Sequence, residues 1–294
     1  MFTSSAVHAW YQKGSITPLN GHQIFFIDEG SADQETLLLI HGFPTSSYDF
    51  KGIWPRLAKH YRIVCIDMLG FGFSDKPNHR RYTIHSQVDL VEALIRKLKL
   101  TNFHILAHDY AVSVAQELLA RKLETSSPHC AQSCCFLNGG LFPETHRSLP
   151  TQKLLLGPFG KLITKLYSSK KNFSRSFSSV FGGDTQPSNK EIDEFWEIIN
   201  HNDGRHLFHN LMTYILDRRD YRNRWLNALQ TSDIALSLIN GSVDPVSGQH
   251  MVERYQQLGC RLDHLCELSA VGHYPHVEAP IEVAKAYLNF IRGL

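Results

Sequence analysis

One turn constrains this chain more than any other part of it. Phe103–Leu106 is a short apolar run of strand type, and Val112, Ala115, Leu118 and Leu119 follow at helical spacing. Between them stand Ala107, His108, Asp109, Tyr110 and Ala111. So sharp a junction presses its flanks against neighbouring backbone, so the flanking side chains have to be small, and Ala107 and Ala111 are. The apex residue is then Asp109, raised at the end of a strand. A carboxylate presented there suits attack on saturated carbon, unlike the acyl transfer that a serine hydroxyl would support.

The rest of the chain alternates in the same sense. Strand-type runs are read at Gln23–Asp28, Thr36–Ile40, Arg62–Asp67, Phe103–Leu106, Ser133–Leu137, Ile234–Ile239 and Asp263–Leu268. Helical patterns lie at Ser86–Leu98, Tyr110–Arg121, Gly248–Leu258 and Ile281–Ile291, with Pro280 placed where a first helical turn tolerates it. This alternation predicts an α/β fold with a mostly parallel, doubly wound sheet. It fails between about Leu141 and Gln230, a helix-rich stretch punctuated by Gly157, Pro158, Gly182, Gly183 and Pro187. That is too long for a loop. The expected organisation is a core of residues 1–140 and 231–294, with residues 141–230 inserted as a helical cap over the sheet's C-terminal edge, where such sheets bind ligands. Strand, turn and helix around Asp109 then form the nucleophile elbow of an α/β-hydrolase fold.

Composition narrows the remaining choices. A hydrophobic fraction of 43% and a net charge of +2 over 294 residues describe an ordinary globular protein and give no argument for nucleic acid or an anionic membrane as partner. The denser basic groups, Lys161–Arg175 and Arg218–Arg224, read as solvated helical faces. No apolar run is long enough to span a membrane, and the first residues lack the pattern of a secretory signal, so a cytoplasmic protein is expected. The six cysteines lack zinc-site spacing and read as buried free thiols; no metal or cofactor is expected.

A carboxylate nucleophile needs a base to activate water against its ester, an acid to orient that base, and donors for the oxyanion. In this fold the chain order is nucleophile, acid, histidine. His273, in the Gly-His turn after the last strand, is the candidate base, with His276 as fallback, read as a surface or supporting residue. Asp244, in Asp-Pro-Val after the strand Ile234–Ile239, is the candidate acid. Glu144 is the alternative and Asp203 a remote one. The backbone N–H groups of Tyr110 and Phe43 are the expected oxyanion donors, Phe43 lying in the tight His41-Gly42-Phe43-Pro44 loop. Asp67, Gly70, Gly72, Ser74 and Asp75 miss both phosphate-loop fingerprints and read as a structural loop. Ser113 lies a helical turn past the elbow, which argues against a serine esterase.

Together HGFPTSSYDF, DMLGFGFSDKP, HDYAVSVAQELL, NGGLFPETHR, the DPV at Asp244 and HYPHVEAP resemble the α/β-hydrolase proteins grouped with epoxide hydrolases and haloalkane dehalogenases. The resemblance runs over roughly residues 20–294 and implies an aspartyl-ester route. Dehalogenases of this group hold the halide with side-chain N–H groups after His-Gly and after the nucleophile, where this chain has Phe43 and Tyr110. Epoxide hydrolases use cap tyrosines as acids, for which Tyr214 and Tyr167 are the candidates. The resemblance thus implies a cofactor-independent, epoxide hydrolase-like enzyme acting on a small apolar substrate. The alternatives are a haloalkane dehalogenase-like hydrolase and a non-catalytic binding or scaffold protein on the same fold.

Overall fold

Runs such as Thr36–Ile40, apolar at nearly every position, can be satisfied only by burial on both faces, and the structure does this with one central sheet. The computed structural model describes residues 2–124, 130–147 and 154–294, the side chains of Leu166 and Tyr167 excepted. Its strands are β1 (Ser15–Leu19), β2 (His22–Glu29), β3 (Thr36–Ile40), β4 (Arg62–Ile66), β5 (Asn102–His108), β6 (Cys130–Leu137), β7 (Ala235–Gly241) and β8 (His264–Leu268). They lie in the order β1-β2-β4-β3-β5-β6-β7-β8. The β1–β2 and β2–β4 pairs are antiparallel; the strands from β4 to β8 run parallel. β1 has no counterpart among the expected strands. It is an edge strand carrying Thr17 and Pro18, so it lacks an apolar run.

Side chains of successive residues leave opposite faces of a strand, and β3 shows how the sheet divides the core. Leu38 and Ile40 join the apolar cluster that holds Val88, Val91 and Leu118, from helices Ile84–Leu98 and Tyr110–Leu123. Leu37 and Leu39 join the cluster on the other face, with Trp10, Trp54, Tyr287 and Phe290. Trp10 belongs to an N-terminal helix, Ser5–Lys13, that the sequence pattern did not suggest; Ser4 caps it.

Between β6 and β7 the chain leaves the sheet for a series of helices, including Gly160–Tyr167, Lys170–Ser178, Asn189–Asn200, Tyr214–Asp220 and Arg222–Gln230. Ser188 and Glu191 form a reciprocal capping box at the start of the third of these. No helix among the described residues is long and apolar enough to cross a membrane. Three features depart from the sequence reading. Cys130 is exposed at the start of β6. His276 is fully buried, because the turn Pro275–Glu278 packs inward beneath Phe50. Arg218, expected on a solvated face, is only 1% exposed because its helix turns that side toward the elbow.

Candidate active site

The elbow itself is strained. Asp109 has φ 47° and ψ −103°, a left-handed backbone that costs a side-chain-bearing residue free energy and needs outside support. Support comes from the adjoining loops. The Asp109 N–H donates to Asn138 O at 2.9 Å. Gly42 passes so close that a Cβ there would lie 2.8 Å from the Asp109 Cβ and 2.7 Å from His108 Nδ1, so only glycine fits. His41 fixes this loop from below: the Met68 N–H donates to its Nε2 at 3.1 Å, which leaves Nδ1–H to donate to Gly42 O at 2.8 Å. The following peptide, Phe43-Pro44, is cis.

Phe43 N–H then donates to Asp109 Oδ2 at 3.1 Å. The other oxygen, Oδ1, faces His273 Nε2 at 3.6 Å. His273 Nδ1 lies 2.7 Å from Asp244 Oδ2, so Nδ1–H donates to that carboxylate and Nε2 points to Asp109. The His273 N–H donates to Val180 O at 2.8 Å, tying the histidine turn to the helical insertion. The structure thus brings Asp109, Asp244, His273 and the Phe43 amide together. Tyr110 follows as the first residue of its helix, where N–H groups lack intrahelical partners.

The two carboxylates at His273 differ in their surroundings. Asp244 Oδ2 also accepts from Asn138 Nδ2 at 3.0 Å and Ser247 Oγ at 2.7 Å, and its Oδ1 accepts from Val246 N–H at 2.7 Å. It is a saturated, fixed acceptor. Asp109 keeps one oxygen open. Burial works against charge on all three groups, but the Asp244 carboxylate, followed by the Asp109 carboxylate 3.6 Å away, prevails on His273 and pushes it up to about 10. Burial opposes the Asp109 charge too, yet the close approach and charge of His273, followed by the Arg218 charge, hold its carboxyl below the usual range. Asp244 is held low against burial chiefly by the His273 charge.

Other sequence candidates fall elsewhere. Tyr214 is not a wall of the cavity: it is buried with its ring 4.5 Å from that of Tyr110 and the Arg218 guanidinium on its face, and burial followed by the Asp109 charge raises its pKa. The helical pattern could not tell which side of its helix faces the substrate. The Tyr167 side chain lies outside the described residues. Glu144 is taken by Arg222 and Arg254 near the surface, and Asp203 is exposed at a kink of left-handed backbone. Ser113 accepts a hydrogen bond from Arg218 Nε at 2.8 Å. Asp67 braces its own loop by accepting from Ser47 and Phe73 N–H groups. Buried Asn138 and Arg218 are site residues that sequence reasoning missed. Three buried metal-type donors, Asp49, His108 and His276, bring one ligand atom each within 4.8 Å of one another beside the site, but none lines the cavity.

Above the Asp109 carboxylate lies a cavity of about 430 Å³. Its apolar walls include Phe43, Phe177, Val180, Phe208 and Met212, and helix Lys170–Ser178 adds Asn172, Arg175 and Ser176. Tyr274 also lines it, with its O–H donating to Phe43 O at 2.9 Å.

The α/β-hydrolase-fold family model matches residues 35–280. The mesoderm-specific transcript protein of Mus musculus is 39% identical over 99% of this chain and 89% of its own length. A haloalkane dehalogenase of Bradyrhizobium diazoefficiens is 28% identical over 46% of this chain and 39% of its own. Among solved structures, haloalkane dehalogenase DbeA of Bradyrhizobium elkanii superposes with a TM-score of 0.79 at 21% identity, covering 95% of this chain and 97% of that one. Fold, sequence match and full-length similarity agree, and this chain belongs to the α/β-hydrolase fold family.

Proposed function

We propose that this protein is a cofactor-independent hydrolase that displaces a leaving group from carbon through an ester of Asp109, on a small, largely apolar substrate enclosed under residues 141–230 acting as a cap. One observation carries the reading: the Asp109 carboxylate has Oδ2 held by the Phe43 N–H and Oδ1 turned to His273 at the floor of an apolar cavity. Oδ1 attacks the substrate carbon, the bond to the leaving atom breaks, and that atom departs with the electron pair. Esterification removes one of the two carboxylate charges flanking His273, so the imidazolium gives up its Nε2 proton to solvent and the neutral ring then takes a proton from water. The resulting hydroxide attacks the ester carbonyl carbon, and the oxyanion forming on Oδ2 meets the Phe43 and Tyr110 N–H groups. Collapse expels the product as an alkoxide, which takes a proton from His273, and the regenerated Asp109 carboxyl passes its own proton to Nε2, restoring the starting carboxylate and imidazolium.

The leaving group is an epoxide oxygen or a halide. Tyr214 does not reach the cavity, so an epoxide oxygen has to take its proton from another donor. The partial similarity to a dehalogenase favours a halide, whereas Phe43 offers no side-chain N–H to hold one. Single-turnover reaction in H₂¹⁸O with a panel of epoxides and haloalkanes tests the reading. Label in the Asp109 carboxylate is expected, and Asp109→Ala abolishes it. Turnover without label in Asp109 would overturn the route, and no turnover across the panel would favour a binding protein on this fold.

A further inference from the structure

Arg218 is the least expected side chain in the molecule. It comes from helix Tyr214–Asp220 of the insertion and is 1% exposed. Its Nη2 donates to the backbone carbonyl of Asp109 at 3.0 Å and its Nε to Ser113 Oγ at 2.8 Å. The guanidinium lies 4.5 Å from the centre of the Tyr214 ring. Its Nη1 is buried without a hydrogen-bond partner among the described residues, and no carboxylate there forms an ion pair with it. The neighbouring Asp217 is committed to Arg81 and to the Ile84 N–H. The side chain is thus a buried cation bonded to the Asp109 backbone, and the Asp109 carboxylate feels its charge.

Two consequences follow from that placement. The hydrogen bond to the Asp109 carbonyl clamps the strained backbone of the elbow from the side opposite the cavity. The charge also distinguishes the states of the reaction. Free Asp109 is an anion and the tetrahedral species is an anion, whereas the ester between them is neutral at this position. A fixed cation in a poorly solvated setting favours both anions over the ester. We infer that Arg218 is a positioning residue that drives hydrolysis of the Asp109 ester, making water attack faster relative to ester formation. The inference rests on the aspartyl-ester reading above.

The test separates the two chemical steps. Full-length Arg218→Met and Arg218→Lys proteins are mixed with a probe epoxide or haloalkane that the wild type turns over, quenched at intervals and analysed by the mass of the Asp109 peptide. In Arg218→Met the ester should accumulate, with its hydrolysis slowed about tenfold or more and its formation slowed less. Added guanidinium should shorten the ester's lifetime, and Arg218→Lys should lie between. A merely structural role would slow both steps by the same factor, and that outcome would overturn the inference. A ¹³C titration of the Asp109 carboxyl, assigned with Asp109→Asn, needs no substrate. Arg218→Met should raise its midpoint, and an unmoved midpoint would overturn the assignment even if no probe reacts. A wild type that forms no ester, together with a raised midpoint in the variant, would place the failure in the aspartyl-ester reading, with the charge coupling intact.

Discussion

Two of the seams along which the helical insertion meets the core are of opposite character. Behind the elbow the contacts are ionic and buried. Glu117, on the elbow helix, accepts from Trp225 Nε1 at 2.8 Å and Arg224 Nε at 2.8 Å through one oxygen, and from Arg121 Nε at 3.1 Å through the other. Arg218 and Asp217 add their bonds beside it. In front, over the cavity, the seam is aromatic: Phe177 and Phe181 pack on Tyr274 at 4.8 and 5.3 Å, and Phe208 on Phe43 at 5.6 Å. Hydrogen bonds to charged groups hold one geometry, whereas ring packing tolerates small shifts and repacking. Asp109 is thus fixed from behind while the cavity wall is free to vary in shape.

The largest way to break this contrast is Glu117→Ala. It leaves the buried Trp225 N–H without its acceptor, while Arg224 keeps Glu124 and Arg121 keeps Asp89 and Glu92, and the expected loss is about 1–3 kcal/mol of unfolding free energy, read from urea midpoints. A loss below about 1 kcal/mol would show that the rear seam is no stronger than an exposed ion pair. Phe177→Leu tests the front. A smaller apolar group against an existing cavity should cost only about 1 kcal/mol, while the range of accepted substrates widens. A cost comparable to that of Glu117→Ala, with no change in substrate range, would erase the distinction. Tyr274→Phe removes the hydroxyl that braces the Phe43 carbonyl on the oxyanion loop. It should cost about 0.5–1.5 kcal/mol, with a larger effect on ester hydrolysis than on ester formation. An equal effect on both steps would assign Tyr274 to the wall alone.

The same contrast explains what could be read from the sequence. The core strands announce themselves because parallel strands buried on both faces need unbroken apolar runs, as in Thr36–Ile40. Asp109 and Asp244 follow such strands and His273 follows the edge strand β8, so chain order alone suggests their positions. The rear seam has no such signature. Glu117 and Arg224 are far apart in the chain, and an arginine within a basic group looks the same whether it meets water or a buried carbonyl. Which way Tyr214 faces was hidden for a related reason: helical periodicity gives the angle between side chains but not which neighbour each meets. Asn138, an amide after an apolar strand, gains meaning only when β7 is placed beside β6 and its Nδ2 meets Asp244.

At the rim of the insertion, Glu144 accepts from Arg222 Nε at 2.9 Å and from Arg254 Nη2 at 3.2 Å. The Arg222 hydrogen bond holds the Glu144 carboxyl down to about 2, against an ordinary value of 4.5. A carboxyl with a folded-state pKa below its unfolded value contributes stability that is present above the unfolded value and lost as pH falls toward the folded one. The contribution is therefore intact above about pH 5 and declines between 4.5 and about 2. Both partners remain partly in water, so Arg222→Ala should cost only about 0.2–1 kcal/mol at neutral pH. The gap between wild type and variant should close as the solution is acidified, and it should shrink with added salt at pH 7. A gap that stays constant through pH 3 would mean that Arg222 acts through its packing on the insertion, and the rim would then resemble the aromatic front more than the ionic rear.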